Sequence, residues 1–205
     1  MKVVSPTTKG IAQAADAICA GQVVAYPTET VYGLAVNPFS EQAVQRLFAT
    51  KTRDGGNPVL VIVSGPEQLD KLVATVSDIA RAYMERFWPG PLSLLFPKAV
   101  GVPESLTAGH STLCIRCPAC DIARALCQAA GPVTSSSANV SGGEPARCVD
   151  EIVLPGVALA IDGGPLKASL PSTILDPETG KILRPGVITA AELAAAEIGK
   201  RKERL

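Results

Sequence analysis

The sequence predicts a single α/β domain with a mixed parallel and antiparallel sheet. Helical and strand-like segments alternate along the chain, and no internal repeat or long linker separates them. The length of 205 residues, with 47% hydrophobic and 19% charged side chains, is enough for one buried core. A chain of this size buries about 70% of its unfolded surface, which excludes wholesale disorder. Lysine plus arginine number 19 and aspartate plus glutamate 19, so the net charge is zero and any nucleic-acid contact must come from a local basic patch. The expected domain covers 1–205, with a core over about 5–190 and a C-terminal helix or tail at 189–205.

The elements follow from spacing and punctuation. Between Thr7 and Ala20, Ile11, Ala14, Ala15 and Ile18 recur at helical intervals, and Gly21 stands where a left-handed C-terminal cap belongs. Gln22 to Tyr26 reads as a short buried strand broken by Pro27, which makes Pro27-Thr28-Glu29-Thr30 a strand-end loop. Ser40 caps a helix through Ala43, Val44, Leu47 and Phe48. Lys51 to Asn57 is then polar loop, and Val59 to Val63 a β-branched strand. Pro66 to Val73 and Asp78 to Phe87 read as two helices, the second stopped by Trp88-Pro89-Gly90-Pro91. Strands are expected at Leu92 to Phe96, Thr112 to Cys117, Val133 to Ser136, Val157 to Ile161 and Thr173 to Leu175, with a helix over Asp121 to Ala130. Pro177-Glu178-Thr179-Gly180 is a turn joining Thr173–Asp176 to Lys181–Arg184 in a hairpin, and Lys200 to Arg204 reads as a solvated helix end.

Four stretches could carry chemistry. Thr28, Glu29 and Thr30, with Tyr32 and Gly33, place two hydroxyls and a carboxylate at a strand end, an arrangement that a plain turn would also accept. Lys51 and Arg53 lie two residues apart before Asn57, so in an extended loop they share a side and can converge on one anion; a solvated surface loop is the competing reading. Ser135-Ser136-Ser137-Ala138-Asn139-Val140-Ser141-Gly142-Gly143 follows a strand with hydroxyls, an amide and glycines, which suits a phosphate or ribose, although it is not a Walker loop. In Thr112 to Pro118, alternation puts Thr112, Cys114 and Arg116 on one face, so Arg116 can project into a cleft toward a carboxylate or else close an internal salt bridge.

Other chemistries fit poorly. Cys114, Cys117, Cys120 and Cys127 lack the paired knuckles or histidine partners of a zinc site and read as structural thiols. His110 is the single histidine and has no serine elbow to serve, which argues against a serine hydrolase. The longest apolar runs fall far short of the roughly 20 residues that span a bilayer. Met1 to Pro6 has no signal-peptide character, and six cysteines are too few for a disulfide scaffold. A cytoplasmic location without membrane contact is expected.

In this order the motifs resemble the threonylcarbamoyl-AMP synthase family, also called YrdC-like proteins. The matching stretches are Tyr26-Pro-Thr-Glu-Thr-Val-Tyr-Gly-Leu34, Lys51-Thr-Arg53 with Asn57-Pro58, Phe87-Trp-Pro-Gly-Pro91, Ile115-Arg116, Ser137-Ala-Asn-Val-Ser-Gly142, Asp162-Gly-Gly164, Ser172-Thr173 and Leu183-Arg-Pro-Gly186. The resemblance implies a twisted sheet around an open, positively charged cavity. It also implies a reaction in which L-threonine, bicarbonate and ATP give threonylcarbamoyl-AMP and pyrophosphate, the first step of threonylcarbamoyl-adenosine modification of tRNA. The family's catalytic signature falls on Lys51, Arg53, Ser137 and Asn139. Its threonine-binding positions fall on Thr30, Arg116 and Ser135, and its ATP-binding positions on Arg53, Asn57, Thr112, Ser137, Pro145, Ser172 and Arg184. Magnesium with ATP, downstream tRNA threonylcarbamoyl transferase subunits and tRNA itself are the implied cofactor and partners, and no protein ligand for magnesium is implied.

Two positions depart from the family pattern: Asp54 replaces a usual proline and Ile62 a frequent histidine near the threonine site. Longer members add a second domain that can cover the cavity, and this chain is expected to resemble the short form. The competing functions are a non-catalytic RNA-binding module and a carbamoyl-adenylate-forming domain of hydrogenase-maturation type. The second lacks its usual cysteine-pair series here, and 4% aromatic content argues against a base-stacking platform. Lys51 and Arg53 are expected to be exposed loop residues whose removal leaves the fold intact.

Overall fold

The structure is a computed structural model and describes residues 1–52 and 56–203, those beyond 196 as backbone alone. Among the described residues, strands β1 (Lys2–Val4), β2 (Val23–Pro27), β3 (Tyr32–Ala35), β4 (Leu60–Ile62), β5 (Leu92–Pro97), β6 (Thr112–Arg116), β7 (Val133–Ser137), β8 (Val157–Ile161), β9 (Thr173–Asp176) and β10 (Lys181–Arg184) form one sheet. Its order is β1-β8-β2-β3-β7-β4-β6-β5-β9-β10. Parallel pairs (β1 with β8, β2 with β8, β4 with β6, β5 with β9) mix with antiparallel ones, as the alternating pattern predicts. The helices are α1 (Thr8–Cys19), α2 (Glu41–Lys51), α3 (Asp78–Phe87), α4 (Glu104–Thr107), α5 (Asp121–Ala130) and α6 (Ala190–Glu203). No described helix is long and apolar enough to cross a membrane.

The caps are local chemistry. Thr7, Ser40 and Ser77 side chains accept the N–H groups of Gly10, Ala43 and Ala80, satisfying orphan donors at the starts of α1, α2 and α3. Gly21, at φ 73°, follows α1 in the left-handed conformation expected of it.

Pro66 to Val73 departs from the helix expected there. Only Pro66–Gln68 forms a short 3₁₀ turn, because the backbone beyond it is recruited by the sheet: Ala74 N–H donates to Pro97 O and Ala99 N–H to Leu72 O. Leu69, Leu72 and Val73 still point inward, which is why the spacing looked helical. β1, β3 and the single turn α4 are also additional to the sequence-based elements.

Period-two alternation gives the sheet two faces. One carries Ala25, Leu34, Val61, Leu94, Leu113 and Ile115 and is closed by α2, α3 and α6 through Leu47, Phe48, Tyr83, Met84 and Leu193. The other carries Val24, Tyr26, Ala35, Ile62, Val133, Leu159 and Ile161 beneath Ile11, Ala14 and Ile18 of α1 and Ala123, Leu126 and Cys127 of α5. This second face does not end where α1 and α5 end. The register pairs Ile62 with Arg116, Leu60 with Ser135, Leu95 with Cys114 and Ile174 with Arg184, so the face continues across β6, β5, β9 and β10. There it opens into a cavity.

Gly33 marks the boundary between the covered and open halves. It pairs with Tyr26, and a Cβ at Gly33 would come within 3.1 Å of the ring of Tyr26, a fully buried residue whose hydroxyl donates to Thr134 O. Gly33→Ala is therefore expected to destabilise the fold by about 1–3 kcal/mol through overpacking, read as a lowered urea midpoint with an unchanged m-value.

Candidate functional site

The cavity encloses about 610 Å³, and the charged side chains among its described lining residues are Arg116, Arg147 and Arg184. Arg116 is placed by β6. Leu113 and Ile115 turn into the core, so Cys114 and Arg116 turn to the cavity, with Arg116 only 4% exposed. Burying a guanidinium requires a partner, and Glu29 supplies it, its Oε2 lying 2.9 Å from Arg116 Nη2. The salt bridge and the cavity position coexist, so Arg116 closes an internal ion pair and lines the cavity at once. Arg116 Nε is buried without a hydrogen-bond partner among the described residues.

Arg184 stands on the edge strand β10. Its Nε and Nη2 donate to Ser172 O at 3.1 and 2.8 Å, and Nη2 also reaches Ser172 Oγ at 2.8 Å, which in turn bonds Ser93 Oγ at 2.9 Å. This chain ties the hairpin to β5. Partial burial lowers the Arg184 pKa from its ordinary value, the direction expected for a cation drawn partly out of water.

The turn between β2 and β3 is organised by Thr28. Its hydroxyl accepts from Thr30 N and Val31 N, each at 3.2 Å, and lies 3.1 Å from Thr30 Oγ1. Both threonines are buried and line the cavity.

Lys51 corrects an expectation. It is the last residue of α2, not part of an extended loop, and is only 3% exposed. Its ammonium donates to Ser137 O at 2.5 Å, Asn139 O at 2.8 Å and Asn139 Oδ1 at 3.3 Å. Asn139 in turn accepts from Ser137 Oγ at 2.5 Å and donates to Val140 O and Gly143 O. Lys51 and Asn139 therefore brace the segment that leaves β7, while Ser137 reaches the cavity wall.

Of the residues expected at the site, Thr30, Arg116, Ser135, Ser137, Pro145, Ser172 and Arg184 line one cavity. Lys51, Asn57, Thr112 and Asn139 are not among its lining residues. Thr112 shares a strand with Arg116 but pairs with Pro97 at the opposite end. Arg53 and Asp54 lie outside the described residues. Ile62 is fully buried under α1 and α5 and pairs with Arg116, so that position abuts the cavity floor with an apolar side chain.

Arg147 and the clamp on Glu29 were missed. Arg147 follows the serine- and glycine-rich segment as a lone cation, a signal that only its fixed backbone makes meaningful: Arg147 N–H donates to Glu151 Oε2 at 2.6 Å and its carbonyl accepts from Leu166 N at 2.8 Å. Cys114 also lines the cavity, but burial pushes its thiol up to about 12, and Cys117 up to about 11, so both are protonated at neutral pH. No group of three or more metal-ligating side chains occurs among the described residues.

Three guanidinium groups with hydroxyls and an open mouth suit a ligand, or a pair of ligands, rich in anionic oxygen. Because the buried Lys51 ammonium donates to Ser137 O, Asn139 O and Asn139 Oδ1, Lys51→Ala is expected to cost about 1–3 kcal/mol of stability through the loss of charge-assisted hydrogen bonds; thermal unfolding checks this.

The comparisons bear on which ligands. A family model described as telomere recombination (Sua5/YciO/YrdC) matches residues 16–186. Threonylcarbamoyl-AMP synthase of Pyrococcus abyssi is 38% identical over 186 residues, covering 88% of this chain and 55% of that protein. The Shigella flexneri protein of the same name is 38% identical over 181 residues, 86% of this chain and 95% of its own. The crystal structure of P. abyssi Sua5 complexed with L-threonine superimposes with a TM-score of 0.89 at 34% identity, covering 95% of this chain and 59% of that one. The chain thus spans just over half the length of the Pyrococcus proteins.

Proposed function

The chain belongs to the telomere recombination family (Sua5/YciO/YrdC), and from that premise we propose that it is a threonylcarbamoyl-AMP synthase, converting L-threonine, bicarbonate and ATP to threonylcarbamoyl-AMP and pyrophosphate. The observation that carries this reading is the convergence of Arg116, Arg147 and Arg184 on one cavity. The names of the relatives and the threonine complex of a similar structure support it.

In this reading Arg116 receives the threonine carboxylate, with the Thr30 and Ser135 hydroxyls beside it. Arg184 and Arg147 face the triphosphate, with Ser137, Pro145 and Ser172 along the nucleotide path and Arg53, Asn57 and Thr112 assigned there by resemblance. The threonine amine attacks the bicarbonate carbon, and loss of water leaves a carbamate. A carbamate oxygen then attacks the α-phosphorus, forming the mixed anhydride with AMP as the bond to pyrophosphate breaks. No enzyme nucleophile is needed, so positioning and fixed positive charge supply the rate. Lys51 and Asn139 contribute by holding the Ser137 segment in place.

The described charged residues of the cavity wall are guanidinium groups, which do not ligate divalent cations. Magnesium therefore enters as part of the nucleotide substrate, held by phosphate oxygens and water. The product is a reactive anhydride suited to a transferase that modifies tRNA, and the cytoplasm is the setting of this reading.

Pyrophosphate release from magnesium-ATP with bicarbonate tests the proposal, comparing L-threonine with L-serine, L-alanine and carbamoyl phosphate. Threonine-dependent release is expected. Release with carbamoyl phosphate alone, or with none of them, overturns it. The two ends of the cavity separate kinetically: Arg116→Ala raises the threonine KM by about tenfold or more with little change in the ATP KM, and Arg147→Ala does the reverse. Equal effects on both constants in either variant contradict the assignment.

A further inference from the structure

The side chain that secures Arg116 has a role of its own. Glu29 Oε2 accepts from Arg116 Nη2 at 2.9 Å, and Glu29 Oε1 accepts the Ala119 N–H at 3.1 Å. Glu29 is thus clamped between β6 and the segment that follows β6. Its own backbone is held at the β2–β3 turn by the Thr28 hydroxyl, which bonds the N–H groups of Thr30 and Val31. Glu29 is 23% exposed and is not among the described cavity-lining residues, whereas the 4% exposed Arg116 is. The guanidinium, and not the carboxylate that pairs with it, therefore forms part of the cavity wall.

The clamp balances Arg116 without saturating it. Among the described residues Nη2 is paired with Glu29, and the buried Nε has no partner. A cation kept in a fixed orientation with unspent donors is a prepared receptor for an anionic group, and the carboxylate that fixes it is part of that preparation. Two donors converge on Glu29, one guanidinium N–H and one backbone N–H, and each requires an acceptor oxygen. A carboxylate offers both oxygens. An amide offers one oxygen and turns an N–H₂ toward the other donor, so glutamine in this place cannot satisfy both.

We propose that Glu29 is a positioning residue that holds Arg116 in the orientation that receives the carboxylate of the amino-acid substrate. The inference rests on the reaction proposed above. Glu29 acts through Arg116 and touches neither nucleotide nor reacting atoms, so its loss weakens capture of the amino acid and leaves the chemical step alone.

Steady-state pyrophosphate release in the intact chain tests this with Glu29→Gln, in the wild-type and Arg116→Ala backgrounds. In the wild-type background the threonine KM rises about tenfold, the scale of one charge-assisted hydrogen bond, while kcat and the ATP KM stay within about twofold. In the Arg116→Ala background the same change leaves the threonine KM where it was, because the residue through which it acts is gone. Glu104→Gln, which removes the partner of Lys98 elsewhere on the surface, leaves all three constants unchanged. A threonine KM that does not move overturns the inference. A KM that falls also overturns it, because it means that Glu29 acts as a competing charge. Equal rises in both backgrounds, or matching changes in kcat and the ATP KM, reduce Glu29 to a general structural role. Wild-type protein that releases no pyrophosphate with threonine overturns the underlying reaction instead.

Discussion

Strand β6 cannot slip by one residue. Ile115 and Arg116 are neighbours that face opposite ways, one into a closed core and the other into the cavity. A shift of register would turn Leu113 and Ile115 out of the core and drive the guanidinium between Val61 and Leu94, at a desolvation cost of several kcal/mol. The register with β4 and β5 follows from that alternation, and with it the placement of Leu60, Leu95 and Cys114 on the cavity wall. The cavity exists because α1 and α5 cover only part of a face that the ten strands make continuous.

The cations around this opening differ in how their charge is spent. Lys51 is turned inward and consumed by carbonyl and amide oxygens of the segment leaving β7. Arg184 is partly engaged by Ser172, and Arg116 is held by Glu29. Arg147 has its backbone pinned, and no side-chain hydrogen bond or ion pair is formed by it among the described residues. Charges fixed by the fold need no reorganisation when an anion arrives, and in a partly desolvated site each is worth more than it would be in water.

Most of the framework was legible because it is written in local chemistry. The cap at Ser40, the stop at Pro89, and the alternation of Thr112 to Arg116 each name an element by itself. What was not legible depends on distant partners. The three-residue strand β1 has meaning only beside β8, and residues 72–74 leave a helical pattern because the backbone at Pro97 and Ala99 competes for them. At the site, hydroxyls and Arg116 could be read from motifs and from the family resemblance. The burial of Lys51 could not, since it depends on Ser137 and Asn139 across 86 and 88 residues of sequence. Arg147 likewise carries no motif and becomes visible only when Glu151 and Leu166 fix the backbone beneath it.

The central claim is that one open half of a sheet face brings an amino acid, bicarbonate and a nucleotide together so that carbon from bicarbonate becomes bonded to the threonine nitrogen. The most direct measurement is NMR of the reaction product made with isotopically labelled bicarbonate and amine-labelled threonine. The account predicts a one-bond carbon–nitrogen coupling in a species that also carries AMP, formed only when ATP is present. Labelled carbon that remains in bicarbonate while ATP is consumed would contradict it.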